Sequence, residues 1–288
     1  MTVDDIFRAA RQQLKQSYPL QEINAMLRVL LQHYTGLTTA QIYADPQQLL
    51  PTANCQLLTE ALKQLSAGRP LQYVIGETDF CGLTFEVDEQ VLIPRPETEE
   101  LVHWAVEELQ AYTAPVVLDL CTGSGCIAVA VAKQCPAAKV LACDISSGAL
   151  EVAQRNAARN DVTVDFFQCD ILNQVSGIRY QVSGINSSFI ILSNPPYVRN
   201  SEKAMMRQNV LEHEPHGALF VADDDPLIYY RAIAAIARQC IVADGFVMVE
   251  INEALAADTM QIFRAAGFSS LSLRQDLNSK NRMIMIND

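Results

Sequence analysis

The chain has 288 residues, half of them apolar and 19% charged, enough to bury one large core or two modest ones and too apolar for a disordered chain. Its 33 acidic residues outnumber 21 basic ones, for a net charge of −12, which disfavours an autonomous DNA or RNA binder built to neutralise phosphates with Lys and Arg. No apolar stretch approaches the roughly 20 residues that cross a bilayer, and the polar, acidic start from Met1 to Asp5 lacks a secretory signal pattern, so the expected location is cytoplasmic, with no membrane partner.

Residues 1–75 read as helical: apolar positions recur at helical spacing through Ile6, Ala9, Ala10 and Leu14, then through Ile23, Leu27, Leu30 and Leu31. Asp45-Pro46 and Leu50-Pro51 break the pattern, a further helix covers 52–65, and Gly68 with Pro70 stops it. A small N-terminal helical bundle is expected. Over 76–96, the alternating run Leu83-Thr84-Phe85-Glu86-Val87 follows Cys81-Gly82 and precedes Val91-Leu92-Ile93, which predicts a short β-hairpin linker between two domains. Pro94-Arg95-Pro96-Glu97-Thr98-Glu99 then opens a helix whose acidic first turn complements its dipole. Arg95 and Glu97, on either side of Pro96, suit a salt bridge in a stiff linker better than a substrate entrance, and Trp104 lies with Leu101 and Val102 on the core side of this helix.

From residue 97 to 288 helix and strand alternate. Strands are expected at 116–118, 139–143, 162–166, 189–192 and 245–250, with helices after the first glycine turn, over 148–160, over 226–240 and ending at Gly267. Two closing strand-like runs, 269–274 and 282–286, suggest an antiparallel pair at one edge. This order implies an α/β fold with a mostly parallel sheet covered on both faces. The eight cysteines include no Cys-x-x-Cys pair and the four histidines do not interleave with them, so reduced thiols and no metal site are expected. His213 and His216, flanking Glu214-Pro215, read as loop residues rather than ligands.

Two segments carry chemistry. Asp119-Leu120-Cys121-Thr122-Gly123-Ser124-Gly125-Cys126 follows the first strand of the α/β region and opens a helix, where glycines let backbone approach a ligand closely. Asp144 ends the next strand and suits ribose hydroxyls. Taken alone, this pattern admits any nucleoside-containing cofactor. Asp119 and Asp170 favour S-adenosyl-L-methionine: the first suits a cationic amino acid moiety and would repel a pyrophosphate, and the second suits an adenine amino group. Ser193-Asn194-Pro195-Pro196-Tyr197 closes the fourth strand. Its prolines fix φ and remove donors, so the Asn194 side-chain oxygen and the Pro195 carbonyl can each accept one hydrogen of a substrate –NH₂ while Tyr197 stacks on the flat group. Such a site acts mainly by alignment and by drawing charge onto nitrogen.

With these residues in view, the chain resembles the HemK/PrmC family, the protein-(glutamine-N5) methyltransferases of peptide chain release factors. The resemblance runs through Gly68-Arg69-Pro70-Leu71-Gln72-Tyr73, Gly76, Phe80-Cys81-Gly82-Leu83, Leu211-Glu212-His213-Glu214-Pro215, Ala218-Leu219-Phe220, Gln275-Asp276-Leu277, Lys280 and Arg282. Its most family-specific string is Ile93-Pro94-Arg95-Pro96-Glu97-Thr98-Glu99. The resemblance implies a class I (Rossmann-like) methyltransferase with a seven-stranded, mostly parallel sheet, residues 1–75 as a substrate-recognition domain, 76–96 as linker and 97–288 as the catalytic domain. It implies cofactor contacts from Cys121, Thr122, Gly123, Ser124, Gly125, Asp144, Asn194 and Ile171. It also implies that Asn194, Pro195, Pro196 and Tyr197 hold the glutamine of a Gly-Gly-Gln loop in class 1 release factors and that the product is S-adenosyl-L-homocysteine; a monomer is expected. Two positions depart from the family: Cys121 stands where glycine is usual and Phe189 where an aspartate is usual, after an unusual stretch over 175–188.

Other functions fit less well. A ribosomal-protein glutamine methyltransferase usually lacks the Arg-Pro-Glu-Thr continuation. An adenine-N6 nucleic-acid methyltransferase also needs a clamp for a planar amine, but a basic recognition region would be expected. Loss of Asn194 or the glycines would favour a non-catalytic cofactor-binding scaffold or chaperone, and both are present; the proline clamp and Asp119 argue against a nicotinamide-dependent dehydrogenase.

Overall fold

Thr2 begins the first helix through a capping box: its side chain accepts from the Asp5 N–H, and Asp5 Oδ2 accepts in return from the Thr2 N–H at 2.9 Å. The computed structural model describes residues 1–173, 178, 188–240 and 245–288. These fall into two units, Met1–Gly76 with Arg207–His213, and Glu77–Met206 with Glu214–Asp288. The smaller unit is helical: α1 (Val3–Leu14), α2 (Leu20–Thr35), α3 (Thr39–Ala44), α4 (Thr52–Ser66) and α5 (Leu71–Ile75). Ile6, Ala10, Leu14, Ile23, Leu27, Leu30, Leu31, Leu58 and Leu65 meet in its core, the stripe expected of helical periodicity.

The larger unit opens with β1 (Glu77–Phe80) and β2 (Leu83–Glu86), an antiparallel pair. The hairpin therefore joins 77–80 to 83–86 and not 83–87 to 91–93 as the sequence suggested. Cys81 (φ 49) and Gly82 (φ 74) both take the left-handed conformation that a two-residue type I′ turn requires, so the chain reverses there. Val91 and Ile93 are buried but belong to no strand. Then come α6 (Pro96–Leu109), β3 (Val116–Leu120), α7 (Cys126–Gln134), β4 (Lys139–Asp144), α8 (Ser147–Arg159) and β5 (Asp165–Gln168). The last begins three residues later than the expected 162–166. Asp161 (φ 54) and Val162 close α8 instead, with the Asp161 N–H donating to the Ala158 carbonyl and the Val162 N–H to the Ala157 carbonyl. Beyond lie β6 (Phe189–Ser193), β7 (Val198–Arg199), α9 (Gln208–His213, in the smaller unit), β8 (Phe220–Val221), α10 (Ile228–Cys240), β9 (Val247–Glu250), α11 (Ala256–Ala265), β10 (Ser270–Gln275) and β11 (Asn281–Asn287). The sequence departure over 175–188 falls almost wholly outside the described residues; Phe189 itself is buried in the core at the start of β6.

Seven strands form one sheet in the order β10-β11-β9-β6-β3-β4-β5. Neighbours from β9 to β5 are parallel, and β11 pairs antiparallel with both β9 and β10. The two-residue repeat of the strands divides the core. Leu118, Leu120, Ile191 and Val249 face Tyr230 and Ile233 of α10 and Phe263 of α11, whereas Val117, Ile190, Leu192 and Met248 face Leu101 and Trp104 of α6 and Ile127 of α7. The chain runs outward from β3 through β4 to β5, then returns to place β6 on the other side of β3. Reversal of strand order between β3 and β6 opens a crevice at their carboxyl ends, where open α/β sheets bind ligands. Among the described residues no helix is long and apolar enough to cross a membrane.

Candidate active site

Leu120 and Ser193, the last residues of β3 and β6, are register partners, and the Ser193 hydroxyl donates to the Leu120 carbonyl at 2.7 Å. The glycine turn and the Asn-Pro-Pro-Tyr segment therefore leave the sheet side by side. One cleft is lined by Cys121, Thr122, Gly123, Ser124, Asp144, Asp170, Ile171, Asn194 and Pro196 of the residues singled out from sequence. Asp119, Gly125, Pro195 and Tyr197 do not line it.

Each of those four has a different position. Gly125 (φ 79) caps α7, and a Cβ there would lie 2.9 Å from the Cβ of Ala153, so glycine lets α7 start against α8. Pro195 is buried, two residues past the end of β6. The Tyr197 hydroxyl donates to Glu250 Oε1 at 2.8 Å, and its carbonyl accepts from Asn252 Nδ2 at 3.2 Å. Asp119 is fully buried beneath the turn: Oδ2 accepts from the Thr122 hydroxyl, while Oδ1 makes no hydrogen bond of ordinary geometry. Burial pushes its carboxyl up to about 7, with the Thr122 hydroxyl and the Ala128 N–H opposing and the charge of Asp144 adding to the rise.

The Asp144 carboxylate is held by the backbone, one oxygen accepting from the Gly123 N–H and the other from the Ser146 N–H, each at 2.9 Å. Burial raises its pKa against these donors. Asp170 accepts from the Leu172 N–H and from Asn173 Nδ2, which fixes the turn after β5. Cys121 takes φ 60, a conformation open to glycine without strain, and burial among Asp144, Asp119 and Asp170 keeps its thiol protonated. Asn156 of α8 ties the turn to the hairpin, its Nδ2 donating to the Ser124 and Glu86 carbonyls.

Three residues of the site escaped the sequence reading. Thr98 of α6 and Tyr229 of α10 line the cleft. Glu250, 1% exposed, accepts from the Thr98 hydroxyl at 2.6 Å as well as from Tyr197. A carboxylate closing the otherwise apolar run Phe246-Val247-Met248-Val249 was the available signal, because it sits at a strand's carboxyl end. Arg95 pairs with Glu214 at 2.6 Å rather than with Glu97, since Glu214 is carried under it by the loop before Pro215. His216 packs edge-on against Phe220, and Trp104 is buried as expected.

The residues present suit a cationic, hydroxyl-bearing nucleoside. A buried carboxylate oxygen of Asp119 makes no hydrogen bond of ordinary geometry, Asp144 is preset by two N–H donors, and Gly123 has nothing within 4 Å of where a Cβ would stand. Three carboxylates around one turn would repel a polyphosphate.

The architecture is that of class I methyltransferases. Residues 103–249 match the methyltransferase small domain and residues 5–76 the PrmC N-terminal domain. The fold resembles the human METTL16 catalytic domain in complex with MAT2A 3′UTR hairpin 1 (TM-score 0.57, 16% identity, 77% of this chain and 80% of that chain). It also resembles the N-terminal domain of human METTL16 in complex with SAH (TM-score 0.51, 18% identity, 78% and 83%). In sequence the chain is 40% identical over 282 residues to the release factor glutamine methyltransferase of Flavobacterium psychrophilum, covering 96% of this chain and 95% of that protein. It is 37% identical to that of Bacteroides thetaiotaomicron, covering 96% and 97%. The chain belongs to the release factor glutamine methyltransferase family.

Proposed function

We propose that the chain transfers a methyl group from S-adenosyl-L-methionine to the side-chain amide nitrogen of the glutamine in the Gly-Gly-Gln loop of class 1 peptide chain release factors. The observation that carries this reading is the pairing of β3 with β6, after which Asn194 and Pro196 line one cleft with the glycine turn. Cys121 to Ser124, Asp144, Asp170, Ile171 and Asn194 would hold the cofactor, with Gly125 letting the turn close against α8 and Asp119 beneath it supplying negative charge. When bound, S-adenosyl-L-methionine supplies an electrophilic methyl on a sulfonium.

The protein's own work is positional. Asn194 Oδ1 and the Pro195 carbonyl accept the two amide hydrogens, which turns the nitrogen lone pair toward the cofactor and raises its electron density as charge develops. Pro195 and Pro196 keep those acceptors fixed, and Tyr197, anchored through its hydroxyl, props the segment from behind. Residues 1–75 supply recognition of the protein substrate, residues 76–96 link them to the catalytic residues 97–288, and the enzyme acts in the cytoplasm as a monomer without direct contact to nucleic acid. Deleting 1–75 is expected to leave cofactor binding and abolish transfer.

The test is transfer of labelled methyl to a purified release factor and to the same factor with the Gly-Gly-Gln glutamine changed to asparagine. Label on the first alone is the expected result; label on both, or on neither, contradicts the assignment.

A further inference from the structure

We infer that Thr98 and Glu250 are positioning residues that dictate which way the Asn194 carboxamide points. The inference rests on the reading of Asn194 as the substrate's acceptor and concerns how that acceptor is presented.

An amide side chain can be turned over, exchanging oxygen for nitrogen with little change in shape. A turned Asn194 would offer N–H groups to a substrate –NH₂, donor against donor, and the site would fail. The hydrogen-bond network removes that freedom. Glu250 lies at the end of β9, almost without exposure, and receives two hydroxyls: Thr98 Oγ1 to Oε2 at 2.6 Å and Tyr197 to Oε1 at 2.8 Å. Burial raises its pKa, while these donors and the charge of Arg282 favour its ionised form. With each oxygen of Glu250 accepting one hydroxyl, the single hydrogen of the Thr98 hydroxyl is committed to it. What Thr98 has left are lone pairs. Asn194 Nδ2 lies 3.1 Å from that hydroxyl oxygen and satisfies it by donating; the amide oxygen in the same place would set lone pair against lone pair. Direction thus passes in one sense, from carboxylate to hydroxyl to amide, and leaves Oδ1 as the acceptor for substrate.

The arrangement also explains why the elements must come together. Thr98 comes from the first turn of α6, Asn194 from the end of β6 and Glu250 from the end of β9, so the orientation of one side chain depends on three separate segments. A network that served only to fasten α6 to the sheet would be indifferent to which amide atom met Thr98.

The experiment uses the full chain with Thr98→Val, Thr98→Ser and Glu250→Leu, and reads two properties. The first is the ¹⁵N-edited NMR signal of the Asn194 side-chain NH₂, assigned by its loss in Asn194→Ala. The second is kcat and KM for methylation of a release factor, with cofactor affinity measured beside them. Thr98→Val, nearly the same shape without the hydroxyl, is expected to shift the NH₂ signal and speed its solvent exchange. It should also lower kcat by about 10²-fold, a larger loss than any in cofactor affinity. Thr98→Ser is expected to restore both. Glu250→Leu removes the acceptor and frees the Thr98 hydrogen, so it is expected to weaken orientation and lower kcat in the same sense, and it carries the test if the valine variant does not fold. An unchanged NH₂ signal, or an undiminished kcat, in a folded Thr98→Val or Glu250→Leu protein overturns the inference. If the unsubstituted chain leaves release factor unmethylated while the NH₂ signal responds as described, the substrate assignment fails and the orientation stands.

Discussion

Arg95 and Glu214, 119 positions apart in sequence, meet at 2.6 Å along one wall of the cleft. The Glu214 side chain is 1% exposed and its second oxygen accepts from the Ile93 N–H, whereas Arg95 keeps a third of its surface in water. Removing the guanidinium leaves a carboxylate buried with one weak donor. Arg95→Ala is therefore expected to cost about 2–3 kcal/mol, below the 3–5 of a fully buried pair because Arg95 is part-solvated. Urea unfolding measures it, and a double variant with Glu214→Gln should lose less than the sum of the single changes. Additive losses would show that the pair does not couple.

Asp119 gives the protein a pH dependence of definite sign. Its folded-state pKa of about 7 lies above the ordinary 3.8, so between these values the folded chain binds more protons than the unfolded one. The associated stability is complete at pH below the ordinary value and is lost as pH rises through about 7. Asp119→Asn should flatten this slope in thermal unfolding. Cofactor affinity should run the other way, rising through the same range as the carboxylate ionises toward a cationic ligand, and should be lower and flat in Asp119→Asn. Calorimetric titrations on either side of neutrality measure it; an affinity independent of pH in the unsubstituted protein would remove Asp119 from the cofactor's surroundings.

Cys121 holds a left-handed backbone in the cofactor turn. A side chain there costs about 1–2 kcal/mol that glycine avoids, offset in part by the roughly 0.5–1 kcal/mol of backbone freedom that glycine gives up on folding. Cys121→Gly is expected to raise stability by about 0.5–1 kcal/mol without loss of cofactor affinity, and Cys121→Val to lower both. A glycine variant less stable than the parent would mean that the thiol's packing outweighs the strain.

What the sequence disclosed and what it hid divide along physical lines. The strand-end carboxylates, the glycine turn and the proline clamp were legible because each is contiguous and chemically unusual, and the cleft gathers most of them. The helical bundle was legible from periodicity alone. Glu250 and its partners were not, because the network joins positions 98, 194, 197 and 250, and no local pattern reports a contact between strands that become neighbours only when β6 returns beside β3. Partner choice by Arg95 failed for the same reason: the nearby Glu97 was visible and the distant Glu214 was not. The hairpin shift turned on two left-handed residues, one of them a cysteine, whose conformation composition does not announce.

The most direct measurement is mass spectrometry of unmethylated class 1 release factor after incubation with the chain and S-adenosyl-L-methionine, beside an Asn194→Ala variant that still binds the cofactor. A single added methyl on the Gly-Gly-Gln glutamine, reduced by about 10²-fold or more in the variant, is the expected result. A methyl on another residue, or equal methylation by Asn194→Ala, would contradict the assignment of Asn194 as the group that presents the amide for transfer.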